Sequence, residues 1–365
     1  MYGQNLFNKG FPTNRIPISL PSTGQDLVLR ETTVVELKSI CKTIIDNINR
    51  RQMNVIYDAM SEYLQSMILT DGVEVSNMTE LDRLYCLMVF FQLSFYKDPQ
   101  TMKCPNCGTD IVYRYDVSKY IDRVEKASID PQKVEIDYKQ RLYIFDVAWP
   151  TVSTMSGLMN YFYQKLGTVT QEMEQTQFGI YFVFSFIRSI RVVNMIDGER
   201  EGDPFIDLTQ IQNWKDRADC INSLPSMVVF DQQNGLFQKV MGLFINRLEN
   251  CFSFEICPQC RKETDFGLPQ SQFFYSLFYG SMKGMYTFIL QVECLLLYRY
   301  DCCIFNAENY MTYNDLSNLT KQISATMEKE NEDRRRSNKD NFTKGLWYIR
   351  EILNTMIFPQ DKVKG

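Results

Sequence analysis

The chain contains no histidine. That absence removes Ser-His-Asp and Cys-His nucleophile activation. It also removes the common catalytic zinc sites, which rely on imidazole. Long apolar runs are missing too. Crossing a bilayer takes about 18 apolar residues in succession. The stretch from Phe178 to Ile187 is stopped by Arg188, and the one from Phe273 to Tyr298 is broken by Lys283 and Glu293. Both are expected to be buried helices, and no membrane-spanning segment is expected. The opening MYGQNLFNKGFPTNRIP has no apolar h-region, so no secretory leader is expected. There is no Walker loop, no G-x-G-x-x-G and no conspicuous carboxylate pair; Asp203 and Asp207, in DGEREGDPFIDL, are expected to be surface and capping residues. A dominant charge is also absent. With 39 basic against 44 acidic residues, the net charge of −5 creates no global field for nucleic acid or anionic membrane.

What is present points to a folded, mostly helical protein. The 365 residues are 45% hydrophobic, enough for a real core in roughly two or three structural units. Phenylalanine (25), tyrosine (21) and methionine (18) are plentiful, which suits helical cores and adaptable interfaces. The eleven cysteines, with no leader to export them, are expected in a reducing compartment as thiols or metal ligands.

Patterning divides the chain into six segments. Residues 1–30, rich in Gly, Asn and Pro, are expected to form an extended arm with no core of its own. The letters LPSTG within it match a sortase signal but stand near the wrong end, with no apolar tail after them. Residues 31–100 are expected to be helical. Thr33 and Glu36 fit a capping box, followed by an apolar face of Val34, Leu37, Cys41, Ile44, Ile45 and Ile48. Helices are also expected over about 51–69 and 79–94, the latter capped by Asn77. Residues 101–150 hold a strand in DIVYRYDV and a hairpin over Lys133 to Val147, ended by Pro150. Residues 151–250 are expected to be a helical insert, with helices near 170–193, 208–222 and 233–249. Residues 251–270 hold a second short β segment, and 271–365 a helical extension. Its mixed-charge stretch MEKENEDRRRSNKD is expected to be a solvated helix or linker.

Chemistry concentrates in four cysteines. Cys104 and Cys107 lie in CPNCG, and Cys257 and Cys260 in CPQCR. Both pairs are C-P-x-C, each followed by a polar turn and a strand-like run. The C-x-x-C spacing lets two sulfurs reach one ion from a single tight turn. Two such knuckles make the four-thiolate shell of a zinc ribbon, a closed structural site. The expected fold class is therefore α+β, mostly α-helical, with helical units around a small β ribbon built from two distant knuckles. About 150 residues separate the pairs. Closing such a loop costs at most about 4–5 kcal/mol, and structural zinc contributes about 10–16 kcal/mol in model peptides. An iron–sulfur cluster could take the same thiolates. A thioredoxin-like pair would need a βαβ context and leaves the second knuckle unexplained. The other cysteines (41, 86, 220, 251, 294, 302 and 303) are expected mostly as small buried hydrophobes.

In order along the chain stand ISLPSTGQDLVLRETTVVELK, LDRLYCLMVFFQLSF, CPNCG, YIFDVAWP, LPSMVVFDQQNGLF, CPQCRKETDFGL and FFYSLFYG, over roughly residues 17–278. This series resembles the baseplate hub proteins of T4-like tailed bacteriophages, and the chain is longer at its C-terminal end than the short members. The resemblance implies a non-enzymatic structural or assembly role in the central hub. Neighbouring hub or tail proteins would be its partners, and it would sit in the virion tail baseplate after synthesis in the host cytoplasm. The residues agree: a closed Zn2+ site, no histidine, no small-molecule motif and abundant apolar side chains. The alternative is a zinc-ribbon nucleic-acid-binding protein. Mixed charge near the knuckles (Lys103, Arg114, Arg261 and Lys262 against Asp110, Asp116, Glu263 and Asp265) forms no basic stripe, so nucleic acid is not the expected partner.

Overall fold

The computed structural model describes residues 15–48, 50–94, 100–104, 106–113, 117–164, 171–194, 204–211, 213–247, 255–264, 283–297 and 311–336. The fold is α+β and mostly α-helical, with small antiparallel sheets.

The first described element corrects an expectation. Strands β1 (Arg15–Ser19) and β2 (Asp26–Arg30) pair antiparallel. LPSTG is the turn between them. Leu20 N–H reaches Gln25 C=O, Gly24 N–H reaches Leu20 C=O, and Gly24 takes a positive φ of 68° that a side chain would strain. Ile18, Leu20, Leu27 and Leu29 enter the main core. Residues 15–30 are thus not a coreless arm. The apolar residues Ile18, Leu27 and Leu29 fall at buried positions of the two strands, so the prolines mark a paired hairpin and not a loose arm. Pro17 is tolerated since β1 pairs with β2 alone among described strands. Residues 1–14 lie outside the described set.

Helix α1 (Val34–Ile48) begins with the expected capping box. Glu36 N–H donates to Thr33 Oγ1 at 3.3 Å, and Thr33 N–H donates to Glu36 Oε2 at 2.9 Å. Arg30 adds a fork onto the same carboxylate at 2.9 and 2.7 Å. Helix α2 (Met53–Met67) follows, then a 3-10 turn (Val75–Asn77) and α3 (Glu80–Ser94). Here the cap is Thr79, not Asn77: Asp82 N–H donates to Thr79 Oγ1 at 3.1 Å, and the Thr79 hydroxyl donates to Asp82 Oδ2. Ser22 in the β1–β2 turn also binds Asp82 through its N–H and hydroxyl, tying that hairpin to the start of α3.

Short strands β3 (Gln100–Lys103) and β4 (Asp110–Tyr113) form the first knuckle hairpin. The strand expected in DIVYRYDV is described over Asp110–Tyr113, and Val117, expected on its face, instead opens helix α4 (Val117–Lys126). The hairpin expected over 133–147 is present as β5 (Gln132–Tyr138) and β6 (Arg141–Val147). Its two turn residues, Lys139 and Gln140, both carry positive φ (49° and 62°), the geometry of a two-residue hairpin loop.

Beyond Pro150 come α5 (Val152–Gln164) and α6 (Gln171–Ser185). The single helix expected over 170–193 is wrong in its second half. Residues from Ile187 to Asn194 form β7, which pairs with β6, and β8 (Phe205–Asp207) extends the sheet to the order β5-β6-β7-β8. The run IRSIRVVN is rich in β-branched residues and alternates largely between buried and exposed positions, which suits a pleat with one covered face. A 3-10 turn (Leu208–Gln210) then leads to α7 (Trp214–Asn222), which replaces the continuous helix expected over 208–222. Helices α8 (Ser226–Phe230) and α9 (Leu236–Val240) follow, and α9 runs on as a π-helical stretch (Met241–Ile245). The second knuckle lies between β9 (Glu255–Ile256) and β10 (Glu263–Thr264). Helices α10 (283–297) and α11 (Tyr313–Arg336) complete the described chain. The mixed-charge stretch begins as a helix, since α11 carries it to Arg336, with Glu328 and Lys329 exposed.

One continuous core joins segments that the sequence pattern separates. Trp149 packs on Phe186 and Phe244 with ring centroids 5.2 and 5.5 Å apart, and those two rings lie 5.0 Å apart. Four helix starts meet in two facing pairs. Thr33 bridges Thr312, and Val34 N–H reaches Met311 C=O at 2.7 Å. Thr79 bridges Thr151, with Glu80 N–H on Pro150 C=O and Val152 N–H on Met78 C=O, each 2.8 Å. Residues 151–250 are therefore no separate insert, and α10 and α11 are no detached extension. Met285, Ile289, Val292, Leu316, Leu319 and Ile323 all belong to the same core.

Candidate metal centre

The two knuckles repeat one backbone design. In the first, Cys104 N–H donates to Thr109 C=O at 2.9 Å and Gly108 N–H donates to Cys104 C=O at 2.8 Å. In the second, Cys257 N–H donates to Lys262 C=O at 3.0 Å and Arg261 N–H donates to Cys257 C=O at 2.9 Å. The residue after each second cysteine takes positive φ: Gly108 at 71° and Arg261 at 54°. Glycine does this without a Cβ clash; arginine does so at a cost of about 1–2 kcal/mol. Two chain segments thus present the same turn, each aiming two sulfurs inward.

The four sulfurs converge. Cys104, Cys107, Cys257 and Cys260 Sγ all lie within 4.8 Å of one another. The separations Cys104–Cys260 and Cys107–Cys257 are both 3.8 Å. Disulfides need about 2.05 Å, so none is formed here. A tetrahedral shell with metal–sulfur bonds of about 2.3 Å has edges of about 3.8 Å. Geometry and donor chemistry therefore fit a single thiolate-bound metal ion, and all four residues singled out from the sequence are brought together. The knuckle sulfurs form their own small cluster, apart from the main core.

Electrostatics favour a cation. Two thiolates 3.8 Å apart repel by about 4 kcal/mol at an effective dielectric of 20. The Lys262 N–H on Cys260 lowers that thiol's pKa, but burial and the sulfurs of Cys257, Cys107 and Cys104 outweigh it and push the thiol up to about 11. Cys107 is shifted the other way, chiefly by its side-chain and backbone hydrogen bonding with Thr109. A divalent ion at the centre would remove the repulsion and favour the deprotonated form of all four groups.

The remaining cysteines divide. Cys41 and Cys86 are buried, and burial pushes both thiols up, Cys41 to about 12; both behave as small hydrophobes. Cys220 is half-buried and Cys294 exposed, against the expectation of burial. Cys251, Cys302, Cys303 and Asp203 lie outside the described residues. Asp207 is a cap, accepting from Thr209 N–H at 2.9 Å. Sequence reasoning missed Arg217, a buried cation on α7. It donates to the backbone carbonyls of Ser185 and Leu208 at 3.4 Å and to that of Ile187, and it lies over the Trp214 ring. Burial lowers its pKa to about 10. A lone arginine in a polar helix carries no sequence signal of such a role. Among the described residues, no helix is long and apolar enough to cross a membrane.

No family model, no curated protein and no solved structure matches this chain.

Proposed function

We propose that this chain is a structural or assembly protein of the central hub of a tailed-phage baseplate. It binds neighbouring tail proteins and is held together at its ribbon by a structural zinc. The observation that carries the non-catalytic reading is the four-sulfur cluster. Four thiolates at tetrahedral spacing complete the coordination of zinc and leave no open position for a substrate or an activated water. Zinc is the natural occupant because it is borderline-soft, forms stable thiolate sites and imposes no geometry of its own.

The hub assignment is supported by the ordered motif series from ISLPSTG to FFYSLFYG and by exposed apolar side chains. Phe205, Met227 and Phe230 are each about half exposed, at 54%, 52% and 47%. Large apolar groups held at a surface suit protein partners better than water.

Two measurements test this reading. Mass spectrometry of purified particles of the encoding phage is expected to find the chain in the tail as a component, or in assembling hubs alone as a helper. Its absence from both refutes the hub assignment. Elemental analysis of native protein is expected to give about one zinc per chain; bound iron, visible by its absorbance, would replace zinc in the scheme.

A further inference from the structure

The four sulfurs are not equivalent. Cys104 and Cys257 are 1% and 0% exposed, Cys260 is half-buried, and Cys107 is exposed. The backbone turns explain this order: the first cysteine of each knuckle is enclosed by the bonds that close its own turn, and the second stands at the rim. Solvent therefore reaches the shell at Cys107. At that corner the Cys107 thiol donates to Thr109 Oγ1 across 3.4 Å. A metal-bound sulfur would have lost its proton, so on metal loading the direction would reverse, the hydroxyl turning to donate to the thiolate. The matching position of the second knuckle is Lys262, which has no hydroxyl.

We infer, building on the metal-centre reading above, that Cys107 is the corner through which the site exchanges its metal, and that Thr109 is a positioning residue that slows the exchange. Its hydroxyl holds the Cys107 sulfur in place on the ion. When a chelator attacks, one of its donors replaces Cys107 Sγ. One metal–sulfur bond breaks as one metal–chelator bond forms, the freed thiolate takes a proton from water, and nothing is oxidised.

Zinc-loaded full-length protein challenged with excess 4-(2-pyridylazo)resorcinol tests this, with release followed by absorbance. Thr109→Val keeps the side-chain volume and the backbone bond from Cys104 N–H, and removes only the donor. It is expected to release zinc about 3–10-fold faster, the worth of one hydrogen bond. Thr109→Ser is expected to restore the slow rate, which a merely steric role would not do. Cys107→Ala is expected to retain more zinc than Cys104→Ala, because it vacates the rim and not the enclosed half of the shell. Wild-type release by Thr109→Val, or fast release by Thr109→Ser, overturns the role of Thr109. Equal or greater loss in Cys107→Ala overturns the exchange corner. Native protein that carries no metal overturns both this inference and the metal reading beneath it, so the two failures are distinguishable.

Discussion

Replacing Cys257 with serine separates what the metal holds from what the core holds. Cys257 is fully buried and lies 3.8 Å from Cys107 across the two knuckles. Serine offers zinc a poorly matched hydroxyl, so the ion is expected to leave. The magnitude at stake is large locally and small elsewhere. Hairpin β3–β4 has four residue pairs and β9–β10 has two. Two-stranded hairpins of this kind are marginal in water at best, and among the described residues the ribbon's own cluster holds Cys104, Cys257 and Cys260. A structural zinc contributes about 10–16 kcal/mol in model peptides, far more than those few contacts. The body does not depend on it. Strand β7 pairs with β6, Thr79 bridges Thr151, and Trp149, Phe186 and Phe244 pack together with no help from the ribbon. Hydrogen exchange read by mass spectrometry is the assay. Peptides over 100–113 and 255–264 are expected to lose protection in Cys257→Ser, and peptides over 141–147 and 187–194 to keep it. Loss of protection across the body sheet would refute the argument, since it would make the metal the anchor of residues 151–250. So would a ribbon that stays protected without metal.

Three further outcomes follow from other residues. Arg217→Ala leaves the carbonyls of Ser185, Ile187 and Leu208 without their shared donor, and is expected to lower unfolding free energy by about 2–4 kcal/mol in urea titration. Lys139→Asn with Gln140→Gly relieves two positive-φ positions, and is expected to raise stability by about 1 kcal/mol or more, read as a shifted urea midpoint. For Glu36, burial pushes the carboxyl up, but the bonds and charge of Arg30 and the donors of Thr33 outweigh it and hold its pKa below the ordinary range. A depressed folded pKa adds stability above the unfolded value, near 4.3, which is lost as pH falls through the folded one. Glu36→Gln is therefore expected to cost about 1–2 kcal/mol at pH 7, with the gap to wild type closing below about pH 4 in melts across pH.

By itself the sequence determined what is local and what is chemically unambiguous. The Thr33–Glu36 cap, the α2 and α3 helices and the β5–β6 hairpin are set by periodicity and by groups a few residues apart, so a linear reading finds them. The four ligands were legible because C-P-x-C places two sulfurs on one turn, and only one other such turn exists in a chain without histidine. Tertiary structure decided the rest. Whether residues 187–194 continue a helix or leave it for a strand depends on β6 offering an edge, which lies some 45 residues back in the register Phe145↔Ile190. Whether Thr79 or Asn77 caps α3 depends on Thr151 and Pro150 arriving beside it. The N-terminal hairpin and the two C-terminal helices join the core because each carries an apolar face that only distant partners can cover, and no local pattern names those partners. Distances along the chain say nothing about which buried surfaces meet, since burial is non-directional and is settled by packing the whole molecule at once.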